Sequence, residues 1–208
     1  MFKVKCTLTA FEGDEKIYPC HFNYKIGDVF YYDGVNFTGR ICPGLLAPMM
    51  PLVYGVYLLG NKYFENVMFR YRGHDARDAT MKQYDGAGFR PLDALDVDLP
   101  KVKVGHFVCG DSRTLAHFSC EAADISDSDY AQPFYRREIA ILDKIDKEPG
   151  IKTDAIISRF SDFEREKISP PLTPVLEGVL LDALTDMNYI EIHDGKTYRL
   201  DRQLPSHP

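Results

Sequence analysis

The first residues of the chain alternate regularly between apolar and polar side chains. Lysines and threonines over residues 2–9 are interleaved with the apolar or small residues Phe2, Val4, Cys6 and Leu8. A period of two is typical of a half-buried β-strand, because successive side chains point to opposite faces of a sheet. The pattern therefore predicts a first strand with Cys6 turned towards the core.

Four further stretches of the first half also have strand patterns. They cover residues 29–32, 35–37, 64–71 and 101–109. Asp33 and Gly34 form a strong turn signal between the first two stretches, so these are expected to form a hairpin. The first half is therefore predicted to be rich in β-structure.

An uncharged apolar run of twenty residues, 41–60, follows the hairpin. Its length would suit a membrane-spanning helix. However, Pro43, Pro48 and Pro51 each remove a backbone donor, which an isolated helix in hydrocarbon cannot replace. We therefore predict no membrane span, but a buried loop and a short core helix over residues 51–59, with Pro51 in its first turn.

Helical spacing replaces the strand pattern after Pro133. One helix is predicted to end near Pro149 and Gly150, and a second, short helix covers residues 153–160. Thr173 is expected to cap a third helix that extends to about residue 187. Its apolar stripe includes Val175 and Val179, whereas its outward positions are predicted to be Glu177, Gly178, Leu181, Asp182, Thr185 and Asp186.

Asp194 and Gly195 form a strong hairpin signal near the end of the sequence. They separate two predicted strands, residues 189–193 and 196–200. Three helices followed by a hairpin is the order of a winged helix, and residues 134–200 resemble that family over their whole length.

The predicted fold class is α+β. It has a small β-rich N-terminal domain, residues 1–122, around a Pro-containing apolar helix, and a C-terminal winged-helix domain, residues 130–208. Acidic and small residues between positions 120 and 132 are interpreted as a linker.

Charge argues against nucleic acid as a partner. The net charge is −6, and residues 134–208 carry eleven Lys or Arg against fourteen Asp or Glu. The predicted third helix has no Lys or Arg over residues 172–188, where a winged helix that reads DNA needs basic and amide side chains. We expect a homodimer or a protein partner instead, with Leu181 and the edge at Tyr189 in the contact.

The composition is that of a globular protein, with 45% hydrophobic and 27% charged residues. The start of the chain lacks the apolar run of a secretory signal, so we expect a cytoplasmic protein. Five cysteines in such a chain indicate thiols or metal ligands more than a disulfide framework. Motifs for nucleotide phosphates are absent from the sequence.

Two His-x-x-Cys pairs form the first candidate site. They consist of His106 with Cys109 and His117 with Cys120. Imidazole and thiolate groups are a usual ligand set for zinc or iron, and donors three residues apart can reach one ion across a turn. On an extended strand, by contrast, residues three apart point to opposite faces, and the cysteines would then be packing residues.

A second candidate site combines Cys42 with Cys20 and His21 as catalytic residues. Arg40 and unpaired backbone N–H groups near Pro43 would favour the Cys42 thiolate. The alternative is a packed cysteine in an apolar run. Two other cationic residues, Arg70 and His74, are candidates for binding a small anionic ligand together with Arg40.

Residues 20–56 look like part of a family of small bacterial and archaeal proteins of uncharacterised activity, and the match covers about the first hundred residues of the chain. The matching positions are Cys20, Gly27, Asp28, Phe30, Gly39, Cys42 and Pro43. Members of that family usually have another cysteine after the apolar helix, whereas this chain has none between Cys42 and Cys109. The resemblance implies no substrate.

Two functions are consistent with these patterns. The first is an enzyme or metal-dependent protein whose small-molecule pocket lies between the hairpin and the apolar helix. The second is a non-catalytic regulator or adaptor, in which the N-terminal domain binds a ligand and the winged helix contacts a partner.

Overall fold

A computed structural model describes residues 1–65, 69–71, 89–91, 104–128 and 130–204. The protein is α+β, with helices and antiparallel sheets. The strands of the first half are β1 (Phe2–Phe11), β2 (Val29–Tyr32), β3 (Phe37–Thr38), β4 (Phe69–Tyr71), β5 (Phe89–Pro91), β6 (Gly105–Val108) and β7 (Ala116–Ile125). Five of them form one sheet in the order β3-β2-β1-β7-β6, and β4 pairs with β5.

The first strand and the hairpin confirm the predictions. β1 alternates between buried and partly exposed residues, and Cys6 is fully buried. β2 has the predicted bounds and pairs with β3 through Tyr31 and Thr38. The return strand, expected over residues 35–37, begins two residues later at Phe37, because Asp33 holds the turn by accepting hydrogen bonds from the backbone N–H groups of Val35 and Asn36.

The segment interpreted as a linker is instead part of a central strand. β7 extends to Ile125, three residues beyond the predicted domain end, and pairs with β1 along most of its length. The inward positions Cys120 and Ala122 are buried although they are small. Acidic and small residues are common in linkers, but here the small side chains point into the core and are buried. The linker prediction was therefore wrong for residues 120–125.

The apolar helix is longer than predicted. A 3₁₀ turn, Pro43–Leu45, leads directly into helix α1 (Leu46–Leu59), so Pro51 lies inside the helix and not in its first turn. Pro51 removes a helical hydrogen bond, but both Pro51 and Ala47 are exposed, and water can reach the carbonyl that is left. Helix α2 (Lys62–Glu65) replaces the start of the strand predicted over residues 64–71. None of the described helices has the length and apolarity that crossing a membrane requires.

The second half contains helices α3 (Gln132–Lys147), α4 (Asp162–Glu166) and α5 (Pro174–Asp186). Its strands are β8 (Ile151–Lys152), β9 (Ile190–His193) and β10 (Lys196–Arg199), in the order β8-β10-β9. The first helix, the hairpin and the cap are as predicted. The Thr173 hydroxyl accepts a hydrogen bond from Leu176 N–H across 3.2 Å. Asp194 and Gly195 have positive φ angles of 51° and 71°, as a tight hairpin turn requires.

Three predictions for this half are wrong. Residues 153–160 form two 3₁₀ turns, Thr153–Ala155 and Ile157–Arg159, and not one helix. In α5 the buried face is rotated, since Leu181 and Glu177 are buried whereas Val175 and Val179 are exposed. The helix packs against both α3 and β9, which covers a wider face than one apolar stripe predicts. Tyr189 is also fully buried, so neither Leu181 nor Tyr189 can form the predicted contact surface.

Arg137 connects α3 to the loop that follows α4. Its side chain is buried, with 3% exposed. The guanidinium donates hydrogen bonds to the carbonyl oxygens of Glu164, Ile168 and Pro170 at distances between 2.5 and 2.9 Å. A planar group with five N–H donors can bond several converging carbonyls at once. Arg137 therefore supplies the hydrogen bonds that these backbone carbonyls would otherwise find in regular secondary structure.

The two halves share contacts at the end of β7. The Tyr189 hydroxyl donates to an Asp124 carboxylate oxygen across 2.8 Å, and Arg202 lies 3.2 Å from the same carboxylate. Arg202 also donates to the Ala123 carbonyl across 3.0 Å. The C-terminal half is therefore attached to the same strand that crosses the centre of the N-terminal sheet.

Candidate functional site

Three cysteines from separate parts of the chain line one cleft. Cys20 lies in the loop before β2, Cys42 precedes α1, and Cys109 follows β6. The cleft has a volume of about 90 Å³, and its other chemically active lining residues are His21, Asp111 and Thr114. Leu45, Tyr24 and Phe118 form its apolar wall. We call this site the thiol cleft.

The local backbone places Cys42 at the start of a 3₁₀ turn. Cys42 has an extended conformation, and its carbonyl accepts a hydrogen bond from Leu45 N–H across 2.9 Å. Its own N–H donates to the Tyr24 hydroxyl oxygen across 2.8 Å, and the Tyr24 hydroxyl donates to the Arg40 carbonyl, also across 2.8 Å. Burial raises the pKa of Tyr24, so the neutral phenol persists and can serve as donor and acceptor together.

Arg40 lies beside the thiol cleft, but its guanidinium contacts Phe22. It donates to the Phe22 carbonyl across 2.5 Å and lies over the Phe22 ring at 4.7 Å from the centroid. Phe22 itself lines the cleft. Arg40 therefore positions the loop that carries Cys20 and His21, a role that its proximity to Cys42 in sequence did not predict.

Cys109 reaches the cleft through a close approach of two loops. A Cβ atom at Gly110 would lie 3.2 Å from the Gly44 carbonyl oxygen, so a larger residue there would push the loops apart. The Cys109 sulfur accepts a hydrogen bond from Ala116 N–H across 3.2 Å, and its thiol donates to the Asp111 carbonyl across 3.6 Å. The side chain of Cys109 is thus held at the cleft by its own turn.

Asp111 organises that turn. Its carboxylate accepts hydrogen bonds from the Arg113 backbone N–H across 3.0 Å and from the Thr114 hydroxyl across 3.3 Å. The bond from the Arg113 backbone is the main reason why the pKa of Asp111 is lowered to about 2. Sequence reasoning had not selected Asp111, although Gly110 and Asp111 together are an ordinary turn signal.

The predicted metal ligands His106, Cys109, His117 and Cys120 are not brought together. His106 and His117 lie on the exposed side of the β6-β7 pair, where the Nε2 atom of His117 is 3.2 Å from a Glu12 carboxylate oxygen. Cys120 is fully buried on the opposite face. Because residues three apart on a strand point to opposite faces, the His-x-x-Cys spacing cannot converge here, and the expected zinc or iron site in this set is corrected accordingly.

Cys120 instead faces Cys6 across the β1-β7 pair. A hydrogen bond with Cys120 and burial both raise the pKa of the Cys6 thiol. In the part of the chain that the structure describes, no three His, Cys, Asp or Glu side chains are grouped closely enough to hold a metal ion. Of the remaining candidates, Arg70 lies on β4 with its side chain outside the described residues, and His74 lies outside them entirely.

A second, more polar depression adjoins the thiol cleft. It has a volume of about 160 Å³ and shares His21, Asp111 and Thr114 with the cleft. Arg113 and Tyr18 line it as well, and the Arg113 guanidinium lies 5.8 Å from the centre of the Tyr18 ring. The combined site has an apolar end with three thiols and a polar end with a histidine and a cation.

Comparisons with models of protein families, with curated proteins and with solved structures gave no match. The chemistry of the site must therefore be inferred from its own residues. Thiols are soft nucleophiles, and their thiolates bind soft metal ions and react with soft electrophiles.

Proposed function

We propose that the N-terminal half binds a small, soft electrophilic ligand in the thiol cleft, where a cysteine thiolate can react with it. The observation that carries this proposal is the convergence of Cys20, Cys42 and Cys109 from three separate segments. The two other cysteines, Cys6 and Cys120, are fully buried in the sheet. A core that only needed small apolar side chains would not require three thiols at one partly open site.

The size and lining of the cleft limit the ligand. A volume of about 90 Å³ is well below the roughly 300–1,000 Å³ that is usual for sites of drug-sized ligands, so the cleft suits a small reactive group. A longer ligand would extend into the polar depression, where His21 and Arg113 can bind an acceptor group. The same three thiols agree with the resemblance of residues 20–56 to a cysteine-containing family. We propose that Cys109 supplies the third thiol that this chain lacks after α1.

For the C-terminal half we propose a winged helix that contacts protein and not duplex DNA. The order of α3, α4 and α5 before the β9-β10 hairpin supports this fold. On α5, the exposed apolar residues are Val175 and Val179, and the sequence has no Lys or Arg from 172 to 188. An apolar, acidic helix surface suits a protein partner or a second copy of the chain.

The two halves together favour a ligand-responsive regulator over a catalyst. β7 lines the thiol cleft with Ala116 and Phe118, and its other end contacts Tyr189 and Arg202 through Asp124. A ligand that shifts the start of this strand would also act on the contacts of the winged helix. Coupling of this kind requires one structural element that both sites contact, and β7 is such an element.

Modification of the reduced chain by N-ethylmaleimide at neutral pH tests the proposal, since a thiol adds across the maleimide double bond and no group leaves. One cleft cysteine should react first, so one of the variants Cys20→Ser, Cys42→Ser and Cys109→Ser should lose the rapid modification, by about tenfold or more in rate. Cys6→Ala, which removes a buried thiol from the sheet, is the matched control and should be modified as the parent chain is. Equal rates of modification in all four variants would refute the proposal.

A further inference from the structure

Another cavity, apart from the thiol cleft and the polar depression beside it, lies between the two halves of the protein. Its volume is about 400 Å³, at the lower end of the range for small-molecule sites. The N-terminal half contributes Phe2, Leu58 and Leu59, and the C-terminal half contributes Phe134, Leu180 and Ala183. The walls of the cavity are therefore mostly apolar and come from both halves.

One buried carboxylate lies in this apolar lining. Glu138 of α3 is only 1% exposed, and within the described residues neither of its carboxylate oxygens has a hydrogen-bond partner. Burial raises the pKa of Glu138 to about 7, and attraction by the Met1 amino group opposes that rise. Buried carboxylates without partners are rare in folded proteins because the lost hydration is not replaced.

The other charged groups of the cavity nearly balance one another. Lys62, Asp182 and Asp186 line it together with Glu138, and the ammonium group of Lys62 is paired with Asp182. Met1 also lines the cavity, so the lining contains three carboxylates and two amino groups, and the Met1 amino group attracts Glu138 without a hydrogen bond to it. The carboxylate of Glu138 would repel an anionic ligand, whereas a cationic one would give it the charge-assisted hydrogen bond that it lacks.

We propose that this cavity binds a small amphipathic cation of the alkylammonium type. The ammonium group donates hydrogen bonds to Glu138, and the alkyl chain lies against Phe2, Leu58 and Leu180. The proposal concerns a site other than the thiol cleft and does not depend on the function proposed for that cleft. Because both halves form the walls, the ligand would also hold them together.

Calorimetric titration of the 208-residue chain with n-octylammonium and with 1-octanol tests this inference. At about pH 8, where Glu138 is ionised, octylammonium should bind about tenfold or more tightly than octanol, because only the cation forms the charge-assisted bond. Glu138→Gln should abolish most of this preference and leave octanol binding intact. Glu177→Gln, which changes the other buried glutamate but one that does not line the cavity, should keep the preference.

A cavity-filling variant keeps the test decisive if Glu138→Gln folds poorly. Ala183→Leu places extra methyl groups in the cavity and should weaken the binding of both amphiphiles. Equal binding of octylammonium and octanol by the parent chain would overturn the proposal, as would no binding of either. Dissociation of a dimer by octylammonium, seen in sedimentation, would identify a second copy as the occupant and would also overturn it.

Discussion

The backbone N–H of Cys42 donates a hydrogen bond to the hydroxyl oxygen of Tyr24 across 2.8 Å. The same hydroxyl donates to the carbonyl of Arg40, so one buried phenol fixes the backbone on both sides of Ile41. This arrangement orients the peptide from which the Cys42 thiol extends into the cleft. It connects the loop that carries Cys20 and His21 with the start of α1.

Replacement of Tyr24 by Phe should therefore disturb Cys42 selectively. The variant leaves the Cys42 N–H and the Arg40 carbonyl without their partner, and we expect a loss of about 1–3 kcal/mol in the free energy of unfolding. The rate at which N-ethylmaleimide alkylates Cys42 should change as well, because the peptide that carries the thiol is no longer fixed. Tyr32→Phe is the matched control, because the Tyr32 hydroxyl donates to the Gly34 carbonyl away from the cleft. Urea unfolding and the rate of Cys42 alkylation in both variants provide the measurements, and equal effects on this rate would contradict the role of Tyr24.

The cysteines should react with alkylating reagents in an order set by their position. Cys42, Cys20 and Cys109 are partly exposed at the cleft, whereas Cys6 and Cys120 are fully buried in the sheet. Reagent can reach a buried thiol only when the sheet opens, so Cys42 should be alkylated much faster than Cys6. Mass spectrometry of peptides after brief treatment with iodoacetamide at neutral pH gives the order. If Cys42 reacts no faster than Cys6, then Cys42 is a packing residue and the proposed site fails.

Local patterns predicted much of the fold because they depend on neighbours in the sequence. Alternation identified β1, the Asp194 and Gly195 turn identified the last hairpin, and Thr173 identified the start of α5. The errors concern features that only tertiary packing decides. The small inward residues of β7 are buried by the sheet around them, and the face of α5 that is covered depends on its contacts with α3 and β9.

The candidate site was predictable only in part, for a related reason. Cys20, His21 and Cys42 belong to one continuous stretch with recognisable turns, and all three line the same cleft. Cys109 was assigned to a set with its neighbour His106, but strand geometry directs these two side chains differently. Cys109 instead shares the cleft with Cys20 and Cys42, because Gly110 lies close to Gly44. These two glycines are distant in the sequence, so local patterns do not predict their contact.

Arg137 should be among the most important residues for stability in the C-terminal half. Arg137→Met would leave the carbonyls of Glu164, Ile168 and Pro170 without their donor in a buried setting. We expect a loss of about 3–5 kcal/mol in the free energy of unfolding. Arg136→Met is the control, because Arg136 is exposed on the same helix. A difference between the two variants of less than about 1 kcal/mol in urea unfolding would argue against this role.

Duplex DNA should not bind appreciably at physiological salt. The described helix α5 exposes Val175, Val179 and Asp182, and a phosphate backbone would be repelled by its acidic side chains. Fluorescence anisotropy with a labelled random duplex measures this directly, and lowering the salt should produce little gain. Tight binding that weakens steeply as salt rises would show that basic residues elsewhere, such as Lys196 and Arg199 of the last hairpin, contact the backbone.

Glu138 should make the stability of the protein depend on pH. Burial raises its pKa in the folded chain from 4.5 to about 7, so the folded state holds the proton more firmly than the unfolded state does. The stabilising contribution is therefore complete below the unfolded pKa, and it is lost as the pH rises through about 7. The Met1 amino group and Asp124 act on Glu138 with opposite signs, while Lys62, Asp182 and Asp186 share its cavity.

Comparison of Glu138→Gln with the parent chain isolates this effect. The variant cannot ionise, so its gain in unfolding free energy over the parent should grow by about 1–3 kcal/mol between about pH 5 and about pH 8. Glu166→Gln, at an exposed position of α4, should show no such growth. Urea unfolding at several pH values measures the three proteins. Parallel pH profiles for Glu138→Gln and the parent would mean that Glu138 has the same proton affinity in the folded and unfolded chains, so it could not be the desolvated carboxylate that the cation site requires.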